Sequence, residues 1–258
     1  MTHTATTAPP DTADRATPLS KVVLVTGASS GIGEGTARRL AAEGHRVVLA
    51  ARREQEVLRI AEELRAQGAL ARGRRLDVTD RAAVATLVDE VVAEHGRLDV
   101  IVNNAGGMPL SRLDALLVEE WDRMIDVNVR GLLHGIAAVL PHFQRQGGGH
   151  VVTIASVGSH AVSPTAAVYC ATKYAAWAVT EGLRLEADPS IRVTTITPGV
   201  VESELADSIT DPVAREAMRT YRAAAVPPDA VARAVAFALA QPSDVDVNEI
   251  VVRPTRQR

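Results

Sequence analysis

Short apolar runs alternate with longer amphipathic stretches from residue 21 almost to the end of the 258-residue chain. That alternation limits the possible folds more than any other feature. The runs at residues 21–27, 46–51, 74–78, 99–103, 150–155, 192–196 and 249–252 predict strands. Helical periodicity follows the first strand to about residue 43, then recurs over about 53–67, 80–95, 119–144, 166–187 and 228–240. Strands that read as near-continuous apolar runs are buried on both faces, and helices between them serve as right-handed crossovers of parallel strands. The expected fold class is therefore α/β: a single doubly wound parallel sheet, Rossmann-like, with helices on both faces. The length suits one such domain, residues 20–258. Residues 202–226 break the alternation with polar, helix-prone sequence and are read as a substrate-loop excursion. Residues 1–19, rich in Thr, Ala, Pro and Asp and lacking an apolar centre, are read as a disordered arm rather than a secretory signal.

Composition narrows the function classes. A formal net charge of -3 supplies no basic field for nucleic acid. No apolar run approaches the ~20 residues that span a bilayer. One cysteine, Cys170, leaves no internal disulfide and no multi-cysteine metal site, and a reducing cytoplasmic location is the expectation. The histidines lack metal-like spacing with carboxylates, so no metal is assigned. Of 28 basic residues only Lys21 and Lys173 are lysines, which gives a lysine at a motif position extra weight.

The first strand runs into Thr26-Gly27-Ala28-Ser29-Ser30-Gly31-Ile32-Gly33, followed directly by a helix. Glycines let the backbone turn tightly and approach a pyrophosphate, and the helix N-terminus adds free N–H groups and a positive dipole. The expected cofactor contacts here are Gly27, Ser29, Ser30, Gly31, Ile32 and Gly33. A dinucleotide's ribose 2′-OH calls for an acid at the end of the second strand. This strand instead ends Ala50-Ala51-Arg52-Arg53, and forked guanidiniums suit a 2′-phosphate, unless both are merely solvated helix-start residues. NADP(H) is thus favoured over NAD(H). Asp77 and Val78 close the third strand, where Asp77 could accept from the adenine amino group.

Tyr169 and Lys173 stand four residues apart on an expected helix and share a face. A phenol with a pKa near ~10 is a poor base at neutral pH, and a neighbouring ammonium is expected to favour its phenolate. Such a pair donates a proton to a carbonyl being reduced, or accepts one from an alcohol being oxidised. Ser156 ends a strand and can hydrogen-bond the substrate oxygen as charge develops there. Taken singly, each is ordinary: Tyr and Lys as helix neighbours, Ser156 as a strand-end turn, Asn128 as a surface or capping amide. Cys170 reads as a small buried hydrophobe, and His160 as a loop residue that could line a pocket.

The glycine segment 26–33, Asp77, Asn103-Asn104-Ala105-Gly106, Asn128, Ser156, Tyr169-x-x-x-Lys173 and Pro198-Gly199 appear in the order seen in the short-chain dehydrogenase/reductase family, which the chain resembles from Lys21 onward. The resemblance implies that Asn104, Ala105 and Gly106 support the strand beside the cofactor. It also implies that Asn128 shapes a proton relay, through a water that links Lys173 to solvent. Ser156, Tyr169 and Lys173 are then the partners of the reacting group, with Lys173 also reaching the nicotinamide ribose. Pro198, Gly199, Val200 and Ser203 fall near the carboxamide, Ser203 standing where family members often carry threonine. Residues 248–255 replace the glycine-rich ending of many relatives. With Trp121-x-x-Met124-Ile125-Asp126 they resemble a subgroup of 3-hydroxy acid (serine-type) dehydrogenases and clavulanate dehydrogenase, an antibiotic-pathway reductase. The resemblance further implies a homo-oligomer, a tetramer or a dimer, built on the two long helices. The expected activity is hydride transfer between NADP(H) and a carbonyl or alcohol of a small polar metabolite. The alternatives are an NADP-dependent 3-hydroxy acid dehydrogenase, with Arg219 or Arg222 on the carboxylate, and a non-catalytic NADP(H)-binding protein.

Overall fold

The computed structural model describes residues 20–257; the expected disordered arm, residues 1–19, lies outside the described residues. Seven strands form one sheet in the order β3-β2-β1-β4-β5-β6-β7, and every pairing is parallel. In chain order they are β1 (Val22–Thr26), β2 (Arg46–Ala51), β3 (Ala71–Arg75), β4 (Val100–Asn103), β5 (Gly149–Ile154), β6 (Ile191–Pro198) and β7 (Glu249–Val252). The helices are α1 (Gly31–Ala42), α2 (Glu54–Ala66), α3 (Arg81–His95), α4 (Val118–Ile125), α5 (Gly131–Gln146), α6 (Ala167–Glu186), α7 (Pro212–Tyr221) and α8 (Pro228–Ala240). The expected fold class is the observed one.

The apolar runs of the central strands feed two cores because successive side chains point to opposite faces. Val23, Val25, Val47 and Leu49 pack on one face with Leu40, Ile60 and Val235 from α1, α2 and α8. Leu24, Val48 and Ile101 pack on the other with Val88, Ile136 and Phe143 from α3 and α5. Leu132, also of α5, lies in this second core. Strand order reverses between β1 and its neighbours β2 and β4, and the carboxyl ends there open a crevice where ligands of such sheets bind.

Two expectations need correction. The third strand pairs over Ala71–Arg75, not over residues 74–78. Its outer arginines Arg72 and Arg74 reach Glu94 of α3, as a sheet edge permits, while α2 sits directly on Gly73. Leu76 and Val78 are buried as the expected apolar run requires, but they lie beyond the ladder, where the chain turns toward the crevice. The expected long helix over 119–144 is interrupted by a π-helical segment, Asp126–Arg130, between α4 and α5. Such segments widen a helix locally and are frequent at functional sites. Here it carries Asn128.

The excursion is closed at its base. Val201 bridges Val226, Glu202 N–H donates to the Val226 carbonyl, and Val226 N–H donates to the Val200 carbonyl. Between these ends lie a 3-10 turn, Glu204–Ser208, and α7, whose start is fixed by Pro212 and by the Asp211 carboxylate accepting from Ala214 N–H.

Candidate active site

The glycine segment is braced from β4. Gly27 has a φ of 63°, and a Cβ there would stand 2.8 Å from the Ala105 Cα, so only glycine fits this turn. Asn104 Nδ2 donates to the Thr26 and Gly27 carbonyls at 2.9 and 3.1 Å. The Asn104 and Ala105 N–H groups both donate to Thr26 Oγ1. Asn104 and Ala105 therefore fix the loop's shape, and Ser29, Ser30, Gly31, Ile32 and Gly33 follow into the first turn of α1. Ser203 lies above this turn, its Cβ 3.2 Å from where a Gly31 side chain would begin.

The two arginines at the end of β2 part company. Arg53 donates to Ser29 Oγ and Ser30 Oγ and pairs with Glu204 at 2.7 Å. Arg52 lines an open groove with Asp77, Thr79, Asp122, Arg123 and Asp126. Asp77 accepts from both the N–H and the hydroxyl of Thr79. Partial burial opposes its ionisation, but these hydrogen bonds, with Arg52 and Arg75 nearby, hold its carboxyl below the usual range. Val78 is buried against Gly131.

Tyr169 and Lys173 lie one turn apart on α6, with the Lys173 ammonium 6.0 Å from the Tyr169 ring centre. Ser156 follows β5 and accepts from Gly158 N–H at 3.0 Å, and its side chain favours the ionised form of the Tyr169 hydroxyl. Lys173 is buried and donates to the Ile154 carbonyl at 2.9 Å. Burial pushes the Tyr169 hydroxyl up to about 12, against the opposing effect of Ser156, and pulls Lys173 down to about 8. Burial thus disfavours the charged form of both groups, the phenolate and the ammonium alike.

Asn128 Oδ1 accepts from Gly107 N–H while Nδ2 donates to the Gly107 carbonyl and to Thr172 Oγ1. Both amide hydrogens are committed, so the side chain ties the loop after β4 to α6. A small cavity beside it is lined by Lys173, Asn128, Asn103, Thr153 and Thr26, with room for about one water molecule. Among the described residues Asn103 Nδ2 is a buried donor without a partner. Gly106 lies within reach of both Asn128 and Lys173.

The excursion and the C-terminal segment cover this centre. Ile209, Ala214 and Met218 pack with Met108, Leu110, Ala166 and Cys170 against Tyr169. Cys170 is the small buried hydrophobe expected. Val200 N–H donates to Gln257 Oε1 at 3.0 Å, and Gln257 lies close over Gly199, beside Pro198. Gln257 Nε2 also donates to the Tyr221 hydroxyl. Neither Gln257 nor Glu204 belongs to a local motif, and sequence reasoning missed both. Arg219 pairs with Glu216, and Arg222 donates to the Ser203 carbonyl. His160 turns away from the pocket to Glu249 and Trp177.

A family model described as short chain dehydrogenase matches residues 21–214. An uncharacterized oxidoreductase of Staphylococcus saprophyticus is 43% identical over 240 residues, covering 92% of this chain and 97% of that protein. Among solved structures, an alcohol dehydrogenase from the archaeon Thermococcus sibiricus complexed with 5-hydroxy-NADP is 34% identical. It has a TM-score of 0.82, over 92% of this chain and 98% of its own. A closed form of serine dehydrogenase complexed with NADP+ is 32% identical with a TM-score of 0.81, over 90% and 94%. A short chain dehydrogenase/reductase from Burkholderia phymatum in complex with NAD is 26% identical with a TM-score of 0.83, over 90% and 88%.

Proposed function

The chain belongs to the short-chain dehydrogenase family, and from that premise we propose that it is an NADP(H)-dependent carbonyl reductase. The observation that carries this reading is the Tyr169 phenol one turn from the buried Lys173 ammonium on α6, 6.0 Å from its ring centre, with Ser156 just after β5 beside them. A phenol so placed can protonate a carbonyl oxygen, and the ammonium favours the phenolate left behind. The crevice fits a dinucleotide: hydroxyls and a guanidinium at the start of α1, and an open groove holding Arg52 and Asp77. Bound NADPH supplies the hydride. Tyr169 gives its proton to the carbonyl oxygen while the Ser156 hydroxyl donates a hydrogen bond to that oxygen. Lys173 stabilises the phenolate that forms, and the cavity beside it is placed for reprotonation through a water.

Arg52 and Arg53, with no acid on the strand end before them, support NADP(H) over NAD(H). The apolar cluster against Tyr169, and the engagement of Arg219 and Arg222 elsewhere, support a carbonyl flanked by apolar groups rather than a hydroxy acid. Exposed Leu133, Tyr174 and Leu185 on α5 and α6 support self-association through these helices, which light scattering reads directly. Among the described residues no helix is long and apolar enough to cross a membrane.

Purified protein, NADPH and a panel of aldehydes and ketones test the function by loss of NADPH absorbance. Tight NADPH binding without turnover in either direction would leave only a non-catalytic binding protein. The pH profile is a second test. Reduction is expected to hold steady through neutrality and to fall as pH rises past about 8, where Lys173 loses its charge. A rate that climbs continuously toward pH 10 would mean that a tyrosinate base is required instead.

A further inference from the structure

The excursion meets the glycine segment where Ser203 lies over Gly31 and, in polar contact, through Arg53, whose every nitrogen is engaged. Arg53 Nε donates to Ser29 Oγ at 3.1 Å, and Nη2 donates to Ser30 Oγ at 2.7 Å and to the Ser29 carbonyl at 3.3 Å. Nη1 pairs with the Glu204 carboxylate at 2.7 Å. The guanidinium, then the Ser30 hydroxyl, hold the Glu204 carboxyl below the usual carboxylate range. An internal carboxylate thus occupies the Arg53 guanidinium, as a phosphate would. Arg52, one residue earlier, forms no ion pair among the described residues and faces the open groove. One arginine is free to meet a phosphate, and its neighbour is already held by an anion.

We propose that Glu204 determines how tightly the chain takes a 2′-phosphorylated cofactor, because its carboxylate competes with that phosphate for Arg53. The inference rests on the NADP(H) reading above. Arg53 is paired in both states, so the phosphate gains only the difference between two anions at that guanidinium. Release of Glu204 also frees the 3-10 turn at the head of the excursion, whose later part packs against Tyr169. The phosphate end of the crevice is thereby coupled to the segment that covers the reacting centre.

Calorimetric titration of the intact protein with adenosine 2′,5′-bisphosphate and adenosine 5′-monophosphate tests this, since the two probes differ only in the 2′-phosphate. Glu204→Gln is expected to tighten the bisphosphate by roughly fivefold, the scale of an exposed ion pair, and to leave the monophosphate unchanged. Asp207→Asn, on the same turn and with no side-chain hydrogen bond or ion pair among the described residues, is expected to change neither. An unchanged bisphosphate affinity in Glu204→Gln overturns the role of Glu204. So does an equal gain in Asp207→Asn, or an equal gain for the monophosphate. If the wild-type protein binds the bisphosphate no better than the monophosphate, the NADP(H) reading fails as well. A wild-type preference for the bisphosphate with no gain in Glu204→Gln removes the competition alone.

Discussion

Tyr169→Phe is expected to lower kcat for carbonyl reduction by roughly 10²–10⁴-fold, the usual range for removing a positioned general acid. NADPH affinity should change far less, because the variant forfeits one hydrogen bond, worth about 1 kcal/mol or roughly fivefold. The contrast follows from what phenylalanine keeps. The ring still packs against the cluster of Met108, Ile209 and Cys170, so the pocket retains its walls. Only the hydroxyl beside Ser156 is lost, and with it the proton that must reach the carbonyl oxygen. Ser156 cannot take over, since its oxygen accepts from Gly158 and a serine hydroxyl is a far weaker acid than a phenol. Steady-state kinetics and NADPH fluorescence titration separate the two effects. A variant that keeps more than about a tenth of the wild-type kcat would remove Tyr169 as the acid.

What the sequence made legible divides along a physical line. Val22–Val25 and Val100–Val102 announce buried strands because apolar content and length are local properties. The Tyr169–Lys173 pair is equally local, since helical spacing alone puts both on one face. Ala71–Arg75 is not legible as a strand: at the sheet edge it is held by backbone pairing with β2, and its arginines need only reach Glu94. The break at Asp126–Arg130 escapes notice because a helix widened by one residue keeps nearly the same apolar pattern on either side. The charge states escape for a deeper reason. Whether Lys173 stabilises a phenolate or Tyr169 keeps its proton depends on how much water reaches them, and the β5 strand, the loop after β4 and the excursion together decide that. Glu204 and Gln257 likewise acquire meaning only from Arg53 and Val200, each more than 50 residues away in the chain.

Lys173→Met is expected to cost roughly 10²-fold in kcat and, more tellingly, to abolish the alkaline limb of the pH profile. The ammonium lies 6.0 Å from the Tyr169 ring centre, close enough for its charge to stabilise the phenolate as Tyr169 gives up its proton, and a roughly 10²-fold loss of rate corresponds to about 3 kcal/mol of that stabilisation. Methionine fills similar space and loses the bond to the Ile154 carbonyl, a stability cost of about 1 kcal/mol that a melting curve would register separately. The sign of the pH effect follows from burial. Desolvation brings Lys173 down to about 8, so wild-type protein carries the charge below that pH and loses it above. At high pH the neutral lysine no longer differs electrostatically from methionine. The wild-type and variant rates should therefore lie far apart at pH 6 to 7 and converge beyond about pH 9. Parallel curves across that range would show that Lys173 acts by position alone, through its hydrogen bonds, and that the charge placed beside Tyr169 does no catalytic work.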